Sequence, residues 1–387
     1  MKQLAELHRS EYEQTPAIVV RVPGVYTLLG EFADFCMGHT LCGASSSMLQ
    51  VAISARSDQS ARLFIAPLKD RKRFSLQTLK YRREDRWANF VKGVVSVLSN
   101  RGFSVTGFNM TFSGDLLEQE GAMVSSALTL GSAIAIRTLF HPQLTLEDCA
   151  AIGYSALFSF ASVPCRLVIF LAMIYVTPRH LLLFDVNQLS SERIAYDSTQ
   201  KEALFLIVES HISPHALQEE LASRKNESKA AFEKLKKNFP NRIIRELGDQ
   251  EIKEVPSRLL SEEEKRICLY VLSESRQAKE AARLLAQKEM VLYGKTLSKV
   301  QSGLRDALEV TCPEIDWLSK RALEINGSLG AVMITTGFSG SLLVLLAPDA
   351  IDVYTARIEE YEHIFGFRPS WRQYVPSGPL TIEIENS

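Results

Sequence analysis

Strand patterns dominate the first half of the chain. β-Branched or alternating apolar residues there end in glycine, proline or polar turns, a pattern that is typical of partly buried strands. Two apolar runs farther along have the continuous hydrophobic character of fully buried strands. The predicted strands are residues 17–22, 48–56, 107–114, 181–186 and 204–210.

Helical spacing of apolar residues predicts helices over 87–102 and 126–140, the second stopped by a His-Pro pair. Residues 145–148 have the pattern of a capped helix start, and 261–264 form a capping box before a long amphipathic helix. A charged helix is predicted over 213–237. The second half is therefore expected to be more helical, with strands returning near the C-terminus.

The most apolar stretch of the chain is CRLVIFLAMIYV, residues 165–176. Its uninterrupted run, from Leu167 to Val176, is about half of the roughly 20 apolar residues that a membrane-spanning helix needs. We therefore expect a buried helix, a buried strand or a segment of an active site that has changed character, and not a membrane span.

Composition limits the possible partners. The chain has 387 residues, enough for two or three domains, and its 44 Lys+Arg against 45 Asp+Glu give a formal net charge of -1. No overall basic field would attract nucleic acid or an anionic membrane surface, so neither is an expected partner. Any anionic ligand must be held by local groups.

The cysteines and the N-terminus indicate the compartment. The six cysteines are scattered, without a C-x-x-C pair, which favours reduced thiols over a disulfide or zinc framework. The first residues, MKQLAELHRSEYEQ, are charged and helical in pattern and lack the apolar core of a secretory signal. We therefore expect a cytoplasmic protein.

Three glycine-bearing loops, 22–35, 113–136 and 335–346, are the candidate ligand sites. The first carries two carboxylates that could accept hydrogen bonds from a polyhydroxylated ligand. The second leads into a helix whose first backbone N–H groups could hold a phosphate. Each loop also has a purely structural interpretation, as a helix cap or a tight turn.

Taken together and in this order, the loops resemble those of galactokinases, in the GHMP family of small-molecule kinases. PGVYTLLGEFADF resembles the signature G-R-V-N-L-I-G-E-H-T-D-Y, RWANFVKGVVSVL resembles W-A-N-Y-V-x-G-V, and LRDALEVTCPEIDWL resembles M-R-x-x-x-x-x-[ST]-x-P-x-[IL]-D. The second loop takes the place of the phosphate loop G-x-G-L-S-S-S-A, and the third that of T-G-G-G-F-G-G. The resemblance covers nearly the whole chain.

The resemblance implies an α+β, two-lobed GHMP kinase fold. Residues 1–195 would form an N-terminal lobe like domain 2 of ribosomal protein S5, and residues 196–387 a ferredoxin-like C-terminal lobe, with ligands in the cleft between them. It also implies a small-molecule ligand, a monosaccharide, and Mg-ATP as a further ligand if nucleotide binding is retained.

The resemblance assigns binding roles to a few residues. Glu31 and Asp34 match positions whose family counterparts bind sugar hydroxyls. The candidate nucleotide-binding residues are Trp87, Gly121, Ser125 and Ser126. For Trp87, whose counterpart borders the nucleotide pocket, core packing is the alternative interpretation.

The catalytic residues of the family are replaced in this chain. The arginine of the signature falls on Val25 and its histidine on Phe32. The segment A-E-x-x-F-x-G-x-x-C-G-I-M-D-Q-L aligns with 156–171, so the magnesium-associated glutamate falls on Leu157 and the catalytic aspartate on Ile169. No residue is therefore expected to serve as the family's base or metal ligand.

Two neighbouring regions depart from the family in part. The sugar-stacking tyrosine of E-Y-x-x-R-R falls on Leu221, whereas Arg224 and Lys225 remain. In the phosphate loop, Glu118 and Glu120 place negative charge where a triphosphate would lie, which would weaken nucleotide binding if they point inward.

We therefore expect a galactokinase-like protein without catalysis by the family mechanism, which binds a sugar or another small molecule and has a protein partner if it is regulatory. The alternative is an active galactokinase that transfers the γ-phosphate of ATP to galactose. A third hypothesis, an enzyme with different chemistry, lacks an evident replacement base. His39 lies near the signature loop, where a lone histidine is usually structural or solvated. Arg166 is a candidate cation near the position of the family's catalytic aspartate, and a role at the helix start or on the surface explains it equally well.

Overall fold

The computed structural model describes residues 2–118, 122–196, 202–212, 214–334 and 340–384. Helices and strands occur throughout this part of the chain, which confirms the predicted α+β class. The α-helices are α1 (Lys2–Tyr12), α2 (Ala88–Asn100), α3 (Ala122–Phe140), α4 (Leu146–Ser155), α5 (Leu167–Tyr175), α6 (Pro214–Asn238), α7 (Asp249–Lys253), α8 (Glu262–Ala286), α9 (Met290–Asp306), α10 (Pro313–Leu323), α11 (Ile351–Ile358) and α12 (Glu360–Phe365). The strands are β1 (Ile18–Leu29), β2 (His39–Ala55), β3 (Ser60–Ile65), β4 (Asp70–Ser75), β5 (Phe108–Ser113), β6 (His180–Asp185), β7 (Ser190–Ala195), β8 (Leu204–Glu209), β9 (Ser328–Ile334), β10 (Ser341–Leu346), β11 (Ser370–Gln373) and β12 (Thr381–Ile384).

The chain forms two compact units. The first contains Met1–Val25, Ala44–Pro178 and Ser377–Ser387, and the second contains Tyr26–Gly43 and Arg179–Pro376. Strands β1 and β2 are long, with 12 and 17 residues, and each contributes its two ends to different units.

In the first unit, strands pair in the order β12-β1-β2-β5-β3-β4. The β2–β5 and β3–β4 pairs are antiparallel, and β3 runs parallel to β5. Helices α2, α3, α4 and α5 contact one another, and Gly131 of α3 packs closely against Val22 and Val51 of the sheet. An apolar helical layer therefore covers the sheet and forms the core of this unit.

Helix α5 accounts for the apolar run. It spans Leu167–Tyr175, and six consecutive residues, Val168–Met173, are buried. Among the three structures expected for this segment, the buried helix is the observed one. Its hydrophobicity is needed because α5 packs against α3 and α4.

Helix α3 is also strongly apolar. Its 18-residue stretch Met123–Phe140 is long and apolar enough to cross a membrane, and it is the one such candidate within the described residues. However, 72% of that stretch is buried inside the protein. A helix that is apolar on all sides and enclosed by protein is typical of a soluble core.

The second unit contains a four-stranded antiparallel sheet in the order β11-β8-β10-β9. Helices α9 and α10 contact β9, and α8 contacts both α6 and α9. The first residues of β2, His39–Gly43, pair with β6, which in turn pairs with β7.

Both predicted N-terminal caps are present. The Thr145 hydroxyl accepts a hydrogen bond from the Asp148 N–H at 3.0 Å, and the Ser261 hydroxyl accepts one from the Glu264 N–H at 3.2 Å. In each case the acid returns a bond to the backbone N–H of the capping residue, which completes the capping box. The start of α3 was predicted too late, at 126 instead of Ala122.

Candidate functional site

The loop that follows β1 holds both predicted sugar-binding carboxylates. The strand ends at Leu29, and Gly30 turns the chain with φ of +85°, a left-handed conformation that favours glycine. A β-carbon on Gly30 would lie 2.4 Å from the carbonyl oxygen of His39. The turn is therefore possible only with glycine, and it brings Glu31 and Asp34 together on one short loop.

Glu31 is held by a lysine of α6. Its Oε1 atom lies 2.7 Å from Nζ of Lys225, and the two side chains are only 10% and 25% exposed. The ammonium group also lies over the Phe32 ring, 5.8 Å from its centroid. An ion pair with this little solvent access fixes the direction of the carboxylate.

Asp34 lies in the 3₁₀ turn Ala33–Cys36 and is half-buried. Its carbonyl oxygen accepts a hydrogen bond from the N–H of Met37, which closes the turn. The carboxylate thus projects from a short, hydrogen-bonded turn three residues after Glu31. Two ionised acceptors on one loop can bind the hydroxyl groups of a polyol.

Two residues of α8 that the sequence analysis did not select support this loop. Oε1 of Glu274 accepts hydrogen bonds from the backbone N–H groups of Gly30 at 3.1 Å and of Glu31 at 3.2 Å. The adjacent Ser275 accepts one from the N–H of His39 at 2.9 Å. Glu274 is 2% exposed, although it is ionisable. The sequence indicates that Glu274 lies on the apolar face of its helix, because it is three residues after Val271 and four residues before Ala278, both of which are apolar.

Phe32 occupies the family's histidine position and belongs to the core. It is fully buried, and its ring lies 6.2 Å from that of Phe35, which stacks on Phe232 at 6.3 Å. The buried ring therefore holds the loop against the core, and it offers no hydrogen-bonding group to a ligand.

His39, the candidate replacement base, has structural partners. Its Nε2 atom lies 3.7 Å from Asp185, whose other carboxylate oxygen is 2.7 Å from Arg245. Burial lowers the pKa of His39, and the charges of Lys279 and Arg245 lower it further, against the opposing effect of Asp185. The imidazole is therefore held mainly neutral beside an existing ion pair.

The predicted phosphate site lies at the start of α3, in the first unit. Ser125 and Ser126 are buried, at 7% and 2% exposure, and Glu118 before them is exposed. The predicted Gly121 and the acidic Glu120 lie outside the described residues. The structure thus locates the two serines in the first turn and a half of the helix, with their side chains inside the protein.

Met123, at the same helix start, is also buried. It is 3% exposed, and its sulfur atom is 2.9 Å from where a β-carbon on Gly24 would lie. The thioether therefore fills the space over Gly24.

Trp87, the candidate for the nucleotide pocket, has both an apolar and a polar partner. Its Nε1–H donates to Asp70 at 2.8 Å, and its ring packs edge-on against Phe112 at 5.7 Å. It is 9% exposed. These contacts support core packing, the alternative interpretation of this residue.

The three positions aligned with catalytic residues are apolar and buried. Val25 and Leu157 are 0% exposed, and Ile169 is 6% exposed. Leu157 lies in a single π-helical turn, Ala156–Phe160, and Ile169 lies in the first turn of α5. Arg166 precedes α5 in extended conformation and is half-exposed.

The described residues offer no site that fits a magnesium ion by the family pattern. Leu157 supplies no oxygen ligand, and no group of three or more histidine, cysteine, aspartate or glutamate side chains in the described ranges could hold a metal. No step through a bound metal is therefore derived for this chain.

Comparison with known proteins gives the same family as the loop pattern. Residues 6–55 match the galactokinase galactose-binding signature. A candidate galactokinase of Treponema pallidum is 28% identical over 375 residues, which cover 95% of this chain and 93% of that protein. The Roseiflexus galactokinase is 25% identical over 366 residues, 93% and 91% of the two chains. Over nearly its whole length, this chain is therefore similar to the galactokinases of the GHMP small-molecule kinase family.

Solved structures agree with this galactokinase-family fold. The Lactococcus lactis galactokinase, crystallised with galactose, superposes with a TM-score of 0.89 at 20% identity, over 98% of this chain and 99% of that one. The Methanococcus jannaschii mevalonate kinase superposes with a TM-score of 0.59 at 14% identity, over 95% and 98%. The predicted GHMP kinase fold is thus confirmed for this chain.

Proposed function

We propose that this galactokinase-family protein binds a monosaccharide through the loop that carries Glu31 and Asp34, and that it does not transfer phosphate by the family mechanism. Its role would be that of a sugar-binding or regulatory protein. The observation that carries the proposal is the contrast between this preserved, well-supported loop and the buried apolar side chains at the catalytic positions.

The sugar-binding half of the proposal rests on local geometry. Glu31 is oriented by Lys225, and the loop backbone is held by the buried Glu274. Rigid, pre-oriented acceptors lose little conformational entropy when a ligand binds. The Lactococcus lactis protein with the same fold was crystallised with galactose, so galactose is the sugar to test first.

The noncatalytic half rests on missing chemistry. A general base contributes typically about 10²- to 10⁴-fold to a rate, and Ile169 cannot accept a proton. Phosphoryl transfer depends mainly on positioned cations that neutralise phosphate charge, and Val25 and Leu157 supply neither a cation nor a metal ligand.

The proposal is tested by separating binding from turnover. D-galactose should raise the unfolding temperature of the full chain, because a ligand that binds only the folded state stabilises it. Glu31→Gln should reduce this shift. ADP release from Mg-ATP should not depend on galactose. Galactose-dependent ADP release that is lost in Glu31→Gln would contradict the noncatalytic role.

An active galactokinase is the second candidate function. The relatives described as galactokinases align over most of both chains. Glu31, Asp34 and Ser125 also match residues of the family motifs. In this case another group must activate the sugar hydroxyl. The ADP-release assay decides between the two functions, because galactose-dependent turnover is expected only for the enzyme.

We also propose a cytoplasmic location for this protein. The scattered cysteines support it, since the cysteines that the structure describes are free thiols. If the role of this protein is regulatory, the proposal includes binding to a protein partner.

A further inference from the structure

A groove of about 480 Å³ lies on the second unit, among residues that have no role in the sugar-binding loop. It is bordered by α11, α12 and β11. Its volume is within the range of small-molecule sites, about 300–1,000 Å³. Its lining includes Glu359, Glu362, His363, Arg368, Pro369 and Trp371.

The walls of the groove are set by well-packed neighbours. Tyr361 of α12 is fully buried, its ring lies 4.6 Å from that of Phe365, and its hydroxyl donates to the carbonyl of Ser210 at 3.0 Å. Helix α12 ends at Phe365, and Gly366 follows it with φ of +83°, a left-handed conformation that turns the chain before β11. The polar residues beside Tyr361 therefore extend from a fixed helix.

Trp371 forms the opposite wall. It lies in β11 opposite Val208 of β8, so its backbone position is set by strand pairing. Its neighbour Ser370 is hydrogen-bonded to the ring of His211 at 2.8 Å. Despite this fixed backbone, Trp371 is 46% exposed. A large aromatic surface beside hydrogen-bonding groups is a recurrent feature of binding sites.

The charges around the groove restrict the ligand. Arg368 is already paired with Glu362, with Nε and Oε2 2.5 Å apart. Glu359 would repel the negative charge of a phosphate-bearing ligand. Arg368 would not neutralise that charge, because it is already paired with Glu362. A cationic ligand would compete with the same Arg368. A neutral ligand with one apolar face and several hydroxyl groups fits both the indole and the carboxylates.

We propose that this groove is a second saccharide-binding site, separate from the Glu31–Asp34 loop. The apolar face of a sugar ring would pack on Trp371, and sugar hydroxyls would donate to Glu359 and Glu362. The imidazole of His363 supplies a further hydrogen-bonding group at the rim. The proposal does not depend on the proposed sugar-binding loop.

The test follows tryptophan emission of the full chain during separate titrations with D-galactose, D-glucose and lactose. The Glu31→Gln variant is used throughout, so that the loop contributes less to the signal, and the substitutions in the groove assign the remaining binding. At least one sugar should change the emission, and Trp371→Ala should weaken binding of that sugar, measured by calorimetry, about fivefold or more. Glu359→Gln should weaken it as well, because a charged acceptor is lost.

Two controls keep the result specific. Ile364→Ala, at an exposed residue of α12 that does not line the groove, should leave affinity unchanged, and Trp371→Phe should restore part of it. Unfolding curves of each variant check that it folds. The proposal is overturned if none of the three sugars binds the Glu31→Gln protein, or if Trp371→Ala binds them as tightly as its parent. Failure of galactose to bind the Glu31–Asp34 loop would leave these results unaffected.

Discussion

Glu274 of α8 and Gly30 of the candidate sugar loop are 244 residues apart in sequence and are joined by a 3.1 Å hydrogen bond. The same carboxylate oxygen also accepts the N–H of Glu31. A buried acid thus fixes the backbone of the residue that is proposed to bind sugar. This relationship makes Glu274 a positioning residue, since it would act on the ligand only through the loop.

Replacing Glu274 by alanine should destabilise the protein and weaken sugar binding together. Two buried N–H groups would lose their acceptor, each at about 1–3 kcal/mol. Urea unfolding measures the first effect and the galactose-induced thermal shift the second. Glu274→Gln keeps an oxygen acceptor, so it should lose less of both. Glu280→Ala, at an exposed acid of the same helix, is the matched control. If Glu274→Ala matches Glu280→Ala in both assays, the positioning role is wrong.

Lys225→Gln should reduce galactose binding more than it reduces stability. The variant leaves the Glu31 carboxylate without its ammonium partner, which we expect to lower the free energy of unfolding by about 1–2 kcal/mol, less than for a fully buried pair. The carboxylate would also lose its fixed direction. Lys229→Gln, one turn along α6 and exposed, serves as the control. An unchanged thermal shift with galactose in Lys225→Gln would argue against a role for this ion pair in binding.

Gly30→Ala should destabilise the protein more than Gly102→Ala. Both glycines have φ of +85°, so both substitutions introduce backbone strain of about 1–3 kcal/mol. Only at Gly30 does the new β-carbon also meet backbone, at 2.4 Å, whereas Gly102 has nothing within 4 Å. Chemical unfolding of the two variants isolates the steric effect. Equal losses of stability would mean that the loop can move away from β2.

Stability should fall as the pH is lowered from 6.5 toward 4 because of His8. Burial lowers the pKa of this histidine from 6.5 to about 4, and its ring is hydrogen-bonded to Thr111 and Ser54, each at 2.9 Å. Between these pH values the unfolded state binds the proton and the folded state does not, so the free energy of unfolding should be about 2 kcal/mol lower at pH 5 than at pH 7 from this group.

The His8→Gln variant checks this assignment. It removes the titrating group, so the difference in unfolding free energy between pH 7 and pH 5 should shrink by most of that amount, although the variant itself is less stable at pH 7. Urea unfolding at the two pH values gives both quantities. The same pH dependence in the variant and the parent would show that other groups cause it.

Ile169→Asp should not restore phosphoryl transfer. The aspartate would enter an almost fully buried position, where an unpaired carboxylate is costly and its pKa would rise. Val25 and Leu157 would still supply no cation or metal ligand. We expect no galactose-dependent ADP release and a lower unfolding temperature. Ile169→Asn, of similar size and uncharged, is the matched control for the effect of charge. ADP release in the Asp variant alone would show that the base was the only missing component.

Much of the fold follows from local sequence. The capping boxes at Thr145 and Ser261 and the buried helix that contains Ile169 depend on residues within a few positions of one another. Backbone hydrogen bonding and side-chain periodicity act over this short range, so a single chain is sufficient to predict them. The glycine loops, in their order and spacing, also indicated the family.

The sequence by itself determined which carboxylates stand on the candidate sugar loop and which residues occupy the positions aligned with the family's catalytic side chains. Only the tertiary structure decided what supports that loop, because Glu274 and Lys225 reach it from helices about 190 to 240 residues away. It also decided that Trp87 packs on Phe112, that Met123 covers Gly24 and that β1 and β2 serve both compact units. Each of these depends on which distant surfaces meet when the apolar faces of helices and strands are buried together, and local pattern does not specify that choice.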